Sequence, residues 1–230
     1  MSTNINPAVP SNNFRVGRNG WVPDLIVFHT SGNTTQSAIN TITNPSSRVS
    51  YHFIIAANGH VTRAVDIANT AFANGTGSGN LSPALSTNHI VRSRTANAND
   101  YTISIAFGDM NLNGGHLTAA QIHAAAMQLN IIRADVFSRW NRWLDLNRTT
   151  IIGHNEVAPR YDGGGSRSCP LWNRAVPFPF TQIIQTLNGM PGLLRFHELS
   201  SMGEYVGMLY DKEEQSHDAG IEAAETYYEQ

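Results

Sequence analysis

The sequence predicts an α/β domain with a central mixed β-sheet flanked by helices, followed by a C-terminal helical appendage. Three observations lead there: short β-branched runs that stop at Gly- and Asn-rich turns, an Asn-Gly hairpin joining two of them, and an alanine-rich helical stretch opened by a capping signature. At 230 residues and 41% hydrophobic content, the chain can bury the core of one domain without disulfides. Its single cysteine, Cys169, excludes an intramolecular disulfide.

Residues 1–23, rich in Asn, Pro, Ser and Gly, read as an irregular lead-in. Residues 24–29 are a continuous apolar run with β-branched members, the pattern of a strand buried on both faces, and Thr30-Ser-Gly-Asn33 ends it. Residues 50–55 form a second strand, which Asn58-Gly59 turns into a third at 60–63. Residues 69–100 read as loop and 101–107 as a fourth strand. Thr118-Ala-Ala-Gln121 is a capping box, with Thr118 as N-cap and Gln121 reaching back. It opens a helix with Ile122, Ala125, Leu129 and Ile132 on one face, and Trp140 and Trp143 fall near its end. Residues 150–152 are a short strand delivering Gly153-His154, residues 155–179 a long loop, and 181–187 a short helix. The division is a lead-in at 1–23, a main domain at 24–188 and a helical appendage at 189–230.

Charge is unevenly placed. Residues 211–230 hold seven acids against Lys212 alone, whereas the first 210 residues carry fourteen arginines against ten acids. A mildly cationic body suits an anionic polymer, but +4 over 210 residues, without a basic run, is far from a nucleic-acid footprint. No apolar run approaches the length needed to cross a bilayer, so membrane insertion is not expected. The first residues lack the basic start and apolar stretch of a secretory signal, which places synthesis in the cytoplasm with release by another factor or carriage in a virion. In the appendage, Leu193, Leu194, Phe196, Leu199, Met202, Val206 and Leu209 recur at roughly helical spacing. That pattern suits docking on the core, self-association or a protein partner through residues 190–230, and the acidic end reads as a solvated tail.

Three side chains suit a zinc site: His29 ending one strand, His154 just past another, and Cys169 in the next loop. Catalytic zinc takes three protein ligands and leaves a position for water. The spacings, 125 and 15 residues, are not diagnostic, and each residue taken alone equally suits simple packing. A Cys169–His154 thiol nucleophile pair is a further arrangement of the same residues, disfavoured because nothing places Cys169 at a helix N-terminus.

The surrounding segments narrow the choice. Phe28-His29-Thr30, Ser50-Tyr-His-Phe-Ile-Ile55 with Asn58-Gly59, Ala71-Phe-Ala-Asn-Gly75, Thr102-Ile-Ser-Ile-Ala106, Leu117-Thr-Ala-Ala-Gln121, Ile151-Ile-Gly-His-Asn-Glu-Val-Ala-Pro159 and Arg167-Ser-Cys-Pro170 with Trp172 follow one another in order. Together they resemble the zinc-dependent N-acetylmuramoyl-L-alanine amidases, which include phage endolysins and peptidoglycan-recognition proteins, over roughly residues 24–188. The resemblance implies one Zn2+ held by His29, His154 and Cys169, and peptidoglycan as substrate. It also implies catalytic roles for Tyr51 and for Arg167, the latter at a position usually held by lysine. The loop at 71–75 resembles a variant of the family's Ala-Trp-His-Ala-Gly, which puts Phe72 and Asn74 at the substrate pocket. Thr30 and Glu156 are expected beside the ligands. His52, next to Tyr51 in a strand, is expected on the opposite face as a buried, hydrogen-bonded histidine.

Two departures carry consequences. Arginine stays protonated, so Arg167 steadies charge without shuttling a proton. The run Asp162-Gly-Gly-Gly-Ser166 lengthens the loop between His154 and Cys169, as a flap over the site or as a source of a competing carboxylate ligand. Two other functions share this sequence: a peptidoglycan-binding module that does not cut, against which Cys169 argues, and an amidase-fold interaction protein acting through its appendage.

Overall fold

The computed structural model describes residues 10–31, 34–75, 83–157, 169–171 and 176–190. In chain order the elements are β1 (Phe14–Arg15), β2 (Leu25–Thr30), α1 (Thr35–Thr43), β3 (Phe53–Ile55), β4 (Val61–Arg63), β5 (Thr70–Ala71), α2 (His89–Arg92), α3 (Ala98–Tyr101), β6 (Thr102–Phe107), α4 (Ala119–Trp140), β7 (Ile151–Gly153), α5 (His154–Val157) and α6 (Phe180–Gly189). The main sheet runs β4-β3-β6-β2-β7, and β1 pairs with β5 in a separate two-stranded ribbon. β3, β6, β2 and β7 are parallel, while β4 returns antiparallel to β3 through the predicted hairpin. Gly59 supplies the positive φ (83°) that this turn requires.

β2 lies between β6 and β7, which explains why its sequence is apolar without alternation: Leu25 to Phe28 are fully buried, alternate residues facing opposite layers. Ile26 and Phe28 pack with Ile103, Ile105 and Phe107 against α4 (Ile122, Ala125, Leu129, Ile132) and α6 (Ile183, Leu187). Leu25 and Val27 face Val91, Tyr101, Ile152 and Val157 instead. Burying a side chain such as Phe28 contributes about 1.5–3 kcal/mol, and Phe28→Ala would cost about 3–5 kcal/mol because its ring also packs on Phe107, Phe178 and Phe180.

The capping box forms as read: Thr118 Oγ1 accepts from the Gln121 amide at 3.0 Å and Gln121 Oε1 from the Thr118 amide at 3.1 Å. The Gln121 side chain also donates to the carbonyls of Ile55 (3.2 Å) and Gly108 (2.8 Å). This ties the start of α4 to the carboxyl ends of β3 and β6, the edge where the candidate site lies.

Several stretches differ from expectation. Residues 35–43 form a helix where the sequence showed no pattern. Its Thr, Asn and Ser content is poor in helix propensity, and two buried residues one turn apart, Ala38 and Ile42, hold it on the sheet against Ile54 and Ala106. The stretch 69–100, read as loop, contains β5, α2 and most of α3. The loop expected from residue 155 starts with the single helical turn α5. Residues 10–23 follow an irregular path but belong to the body: β1 pairs with β5, and the Arg18 guanidinium is buried, donating to the carbonyls of Ile67, Asp100 and Thr102. Burial lowers the pKa of Arg18 to about 10, opposed by Asp100 and Asp66. The appendage with its acidic end lies outside the described residues, and among those described no helix is long and apolar enough to cross a membrane.

Candidate active site

Strand register builds the site. Phe28 pairs across from Gly153 in the parallel β2–β7 ladder, so the residues that follow, His29 on β2 and His154 at the start of α5, emerge side by side at the carboxyl edge. That edge is where open α/β sheets present ligands. The two rings lie 4.6 Å apart between centroids. Cys169 reaches the same place from the next described segment: its Sγ is 3.9 Å from His29 Nδ1, and its carbonyl accepts from the Asn155 amide at 2.7 Å. Gly153 is required at this corner, because a Cβ there would lie 2.7 Å from Pro170 Cδ.

The three side chains His29, His154 and Cys169 each offer a donor atom, and these atoms lie within 4.8 Å of one another. Two imidazoles and a thiolate form the nitrogen–sulfur set that zinc prefers, and the spread is small enough for bonds of about 2.0–2.3 Å to one ion after side-chain adjustment. Neighbouring groups prepare both kinds of donor. His154 Nε2 is 3.1 Å from the Asn74 carbonyl. A carbonyl only accepts, so Nε2 carries the proton and the neutral ring's lone pair sits on Nδ1. The Thr30 amide donates to Cys169 Sγ at 3.2 Å, which favours the thiolate. At Thr30 it is thus the backbone, not the hydroxyl, that touches the cluster.

Tyr51 sits just before β3 and its ring centroid is 5.3 Å from that of His29. Burial, and secondarily the Cys169 charge, push its phenol well above its ordinary pKa, so it is a hydrogen-bond donor rather than a base. Its neighbour His52 is fully buried elsewhere: Nδ1 accepts from the Ser104 amide at 2.9 Å and Nε2 lies 3.2 Å from the Asn69 carbonyl. Since Nδ1 accepts, Nε2 bears the proton and serves Asn69; the Arg18 Nη2 at 2.9 Å is a packed cation rather than a second donor to that nitrogen.

Glu156 turns back on its own helical start: Oε2 accepts from the Gly153 amide at 2.7 Å and from Arg148 Nη2 at 2.7 Å. Its carbonyl receives the Thr87 amide and the Ser86 hydroxyl, so Glu156 braces the β7–α5 corner. Asn74, expected at a substrate pocket, is fully buried, and its amide donates to Thr102 Oγ1 at 2.8 Å. Among the described residues, its Oδ1 is buried without a hydrogen-bond partner. Phe72 is partly buried, its backbone exchanging hydrogen bonds with Ser50. Arg167 and the run 162–166 lie outside the described residues. Sequence reasoning gave no role to Asn99 or Arg148; Asn99 stands in the polar run Asn97-Ala-Asn-Asp100, which looks like any loop.

By fold and site, then, this is a mixed α/β protein with a nitrogen–sulfur donor cluster at the carboxyl edge of its parallel strands. A family model described as N-acetylmuramoyl-L-alanine amidase matches residues 19–172, more than half of the chain, and the chain belongs to that family. Membership supports amidase activity on peptidoglycan. The chain is similar to the crystal structure of an Se-Met AmpD derivative (19% identity over 80% of this chain and 94% of that one, TM-score 0.49). It is also similar to the catalytic domain of XlyA (16% over 78% and 95%, TM-score 0.48) and to the N-acetylmuramoyl-L-alanine amidase LysC from Clostridium intestinale URNW (21% over 73% and 87%, TM-score 0.43). No curated protein matches.

Proposed function

We propose that the chain is a zinc-dependent amidase that hydrolyses the bond between N-acetylmuramic acid and L-alanine, acting on the bacterial cell wall as a phage-type lysin. The observation that carries this reading is the convergence of His29, His154 and Cys169 donor atoms within 4.8 Å, in a chain of the amidase family. These three residues would hold the metal. When bound there, zinc supplies Lewis acidity toward the scissile carbonyl and lowers the pKa of water toward neutrality.

The protein's own groups do the rest. The Asn74 carbonyl and the Thr30 amide keep a histidine lone pair and a thiolate available at the edge of the sheet. Tyr51, protonated in its buried setting, donates a hydrogen bond to the oxygen that becomes negative as the amide carbonyl is attacked. Arg167, two residues before Cys169, adds a permanent positive charge for the same oxygen, and the proton for the leaving amine comes from another group. Phe72 is assigned to the wall of the substrate cleft.

The test pairs metal content with bond cleavage. Purified protein should carry close to one zinc per chain, and Cys169→Ser should lose most of it. On purified cell walls the parent should release L-alanine amino termini and stop when a chelator is added. Binding to walls without such release, unaffected by chelator, would overturn the reading in favour of a non-cutting module.

A further inference from the structure

We propose that Asn99 is a positioning residue for the metal site: it fixes the backbone at residues 73–74 so that the Asn74 carbonyl holds the His154 Nε2 proton and leaves Nδ1 for the ion. This rests on the metal reading above and extends it to a residue that never touches the cluster. The chain of contacts is continuous. Asn99 Oδ1 accepts from the Asn74 amide at 2.9 Å and from the Ala73 amide at 3.3 Å. Asn74 Nδ2 donates to Thr102 Oγ1 at 2.8 Å, and the Asn74 carbonyl receives His154 Nε2 at 3.1 Å. Asn74 and Asn99 are both buried, at 0% and 6% exposure, so water does not compete for these bonds.

The frame is needed because residues 72–75 lie past the end of β5 and have no ladder of their own. Ser50 holds Phe72; Asn99 holds the next two amides. Asn99 is itself anchored, since α3 is capped by Asn97 and its Asp100 pairs with Arg15 and accepts from Asn19 Nδ2 at 3.2 Å. A neutral imidazole without a fixed acceptor populates both tautomers, and only the Nε2–H form offers Nδ1. Loss of such an outer partner weakens metal binding by about 10- to 100-fold.

The experiment uses the full chain and two readouts. Ring-15N spectra of the metal-free protein report the His154 tautomer, and competition against a chromophoric chelator reports zinc affinity. The parent should show the Nε2–H tautomer. Asn99→Ala should show a tautomer mixture and weaken zinc by about tenfold or more. Asn99→Asp, which keeps the accepting oxygen, should return close to the parent on both readouts. Should Asn99→Ala fail to fold, Thr102→Val removes the other strut of Asn74 and should shift both readouts in the same direction by a smaller amount. A folded Asn99→Ala with parental tautomer and parental zinc affinity overturns the inference, as does an Asn99→Asp as impaired as the alanine variant. A parent that shows the fixed tautomer yet binds no zinc overturns the metal reading while leaving the positioning role of Asn99 standing.

Discussion

His52 and His154 both rest Nε2 on a backbone carbonyl, and what surrounds the other nitrogen separates a structural histidine from a candidate ligand. His52 accepts the Ser104 amide on Nδ1 and gives its Nε2 proton to Asn69, so both nitrogens are consumed by the protein. Burial first, and the Arg18 charge second, hold its pKa well below 6.5, and it stays neutral. His154 gives its Nε2 proton to Asn74 and thereby places its lone pair on Nδ1, in a cluster with His29 and Cys169. Burial alone does not distinguish the two kinds, since His29 is as buried as His52. What distinguishes them is the company: a neighbouring arginine and two backbone partners in one case, a second imidazole and a sulfur in the other.

The comparison breaks most sharply at Cys169. Cys169→Ser should remove bound zinc and lower amidase turnover by roughly a thousandfold or more, with little change in thermal stability of the metal-free chain; retention of zinc would erase the contrast. The reverse pattern is expected at His52. His52→Ala strands the Ser104 amide and the Asn69 carbonyl in the core and should cost about 2–4 kcal/mol in urea unfolding, while each folded molecule keeps its zinc.

The same residue has a pH signature. With its folded pKa depressed, His52 takes up a proton in the unfolded chain but not in the folded one as pH falls below about 6.5. Its contribution to stability is therefore intact above that pH and is lost toward acid, at up to about 1.4 kcal/mol per pH unit. Unfolding curves of the metal-free chain at pH 5 to 8 should be less steep in pH for His52→Asn than for the parent; equal slopes would show that His52 titrates normally.

Smaller effects sharpen the picture around the cluster. Tyr51→Phe should keep its zinc and lose about 10- to 100-fold in kcat, the scale of one oxyanion donor. Glu156→Gln should cost less than about 1 kcal/mol, because the Arg148 pair is solvent-exposed in part and an amide oxygen still accepts the Gly153 amide.

The local motifs were legible because each is a short-range statement. The apolar run of β2, the Asn58-Gly59 turn and the Thr118–Gln121 capping box each require only neighbouring residues to be present. The ligand candidates were legible for the same reason: His29, His154 and Cys169 each sit within a recognisable segment. Helix α1 was not, because its polar residues have weak helical preference and its stability comes from docking Ala38 and Ile42 on the sheet. Nor was the packing of Asn74, whose Nδ2 contact with Thr102 joins residues 28 positions apart.

The sequence by itself determined the main strands, the long helix α4 and the donor types, since these follow from residue chemistry and local periodicity, and its ordered segments carried the resemblance to the family. Only the tertiary structure decided that Phe28 pairs with Gly153, and hence that two histidines 125 residues apart stand side by side. It also decided which nitrogen of His154 carries the proton, because an acceptor contributed by residue 74 through a long-range contact is set by packing and cannot be encoded in any one segment.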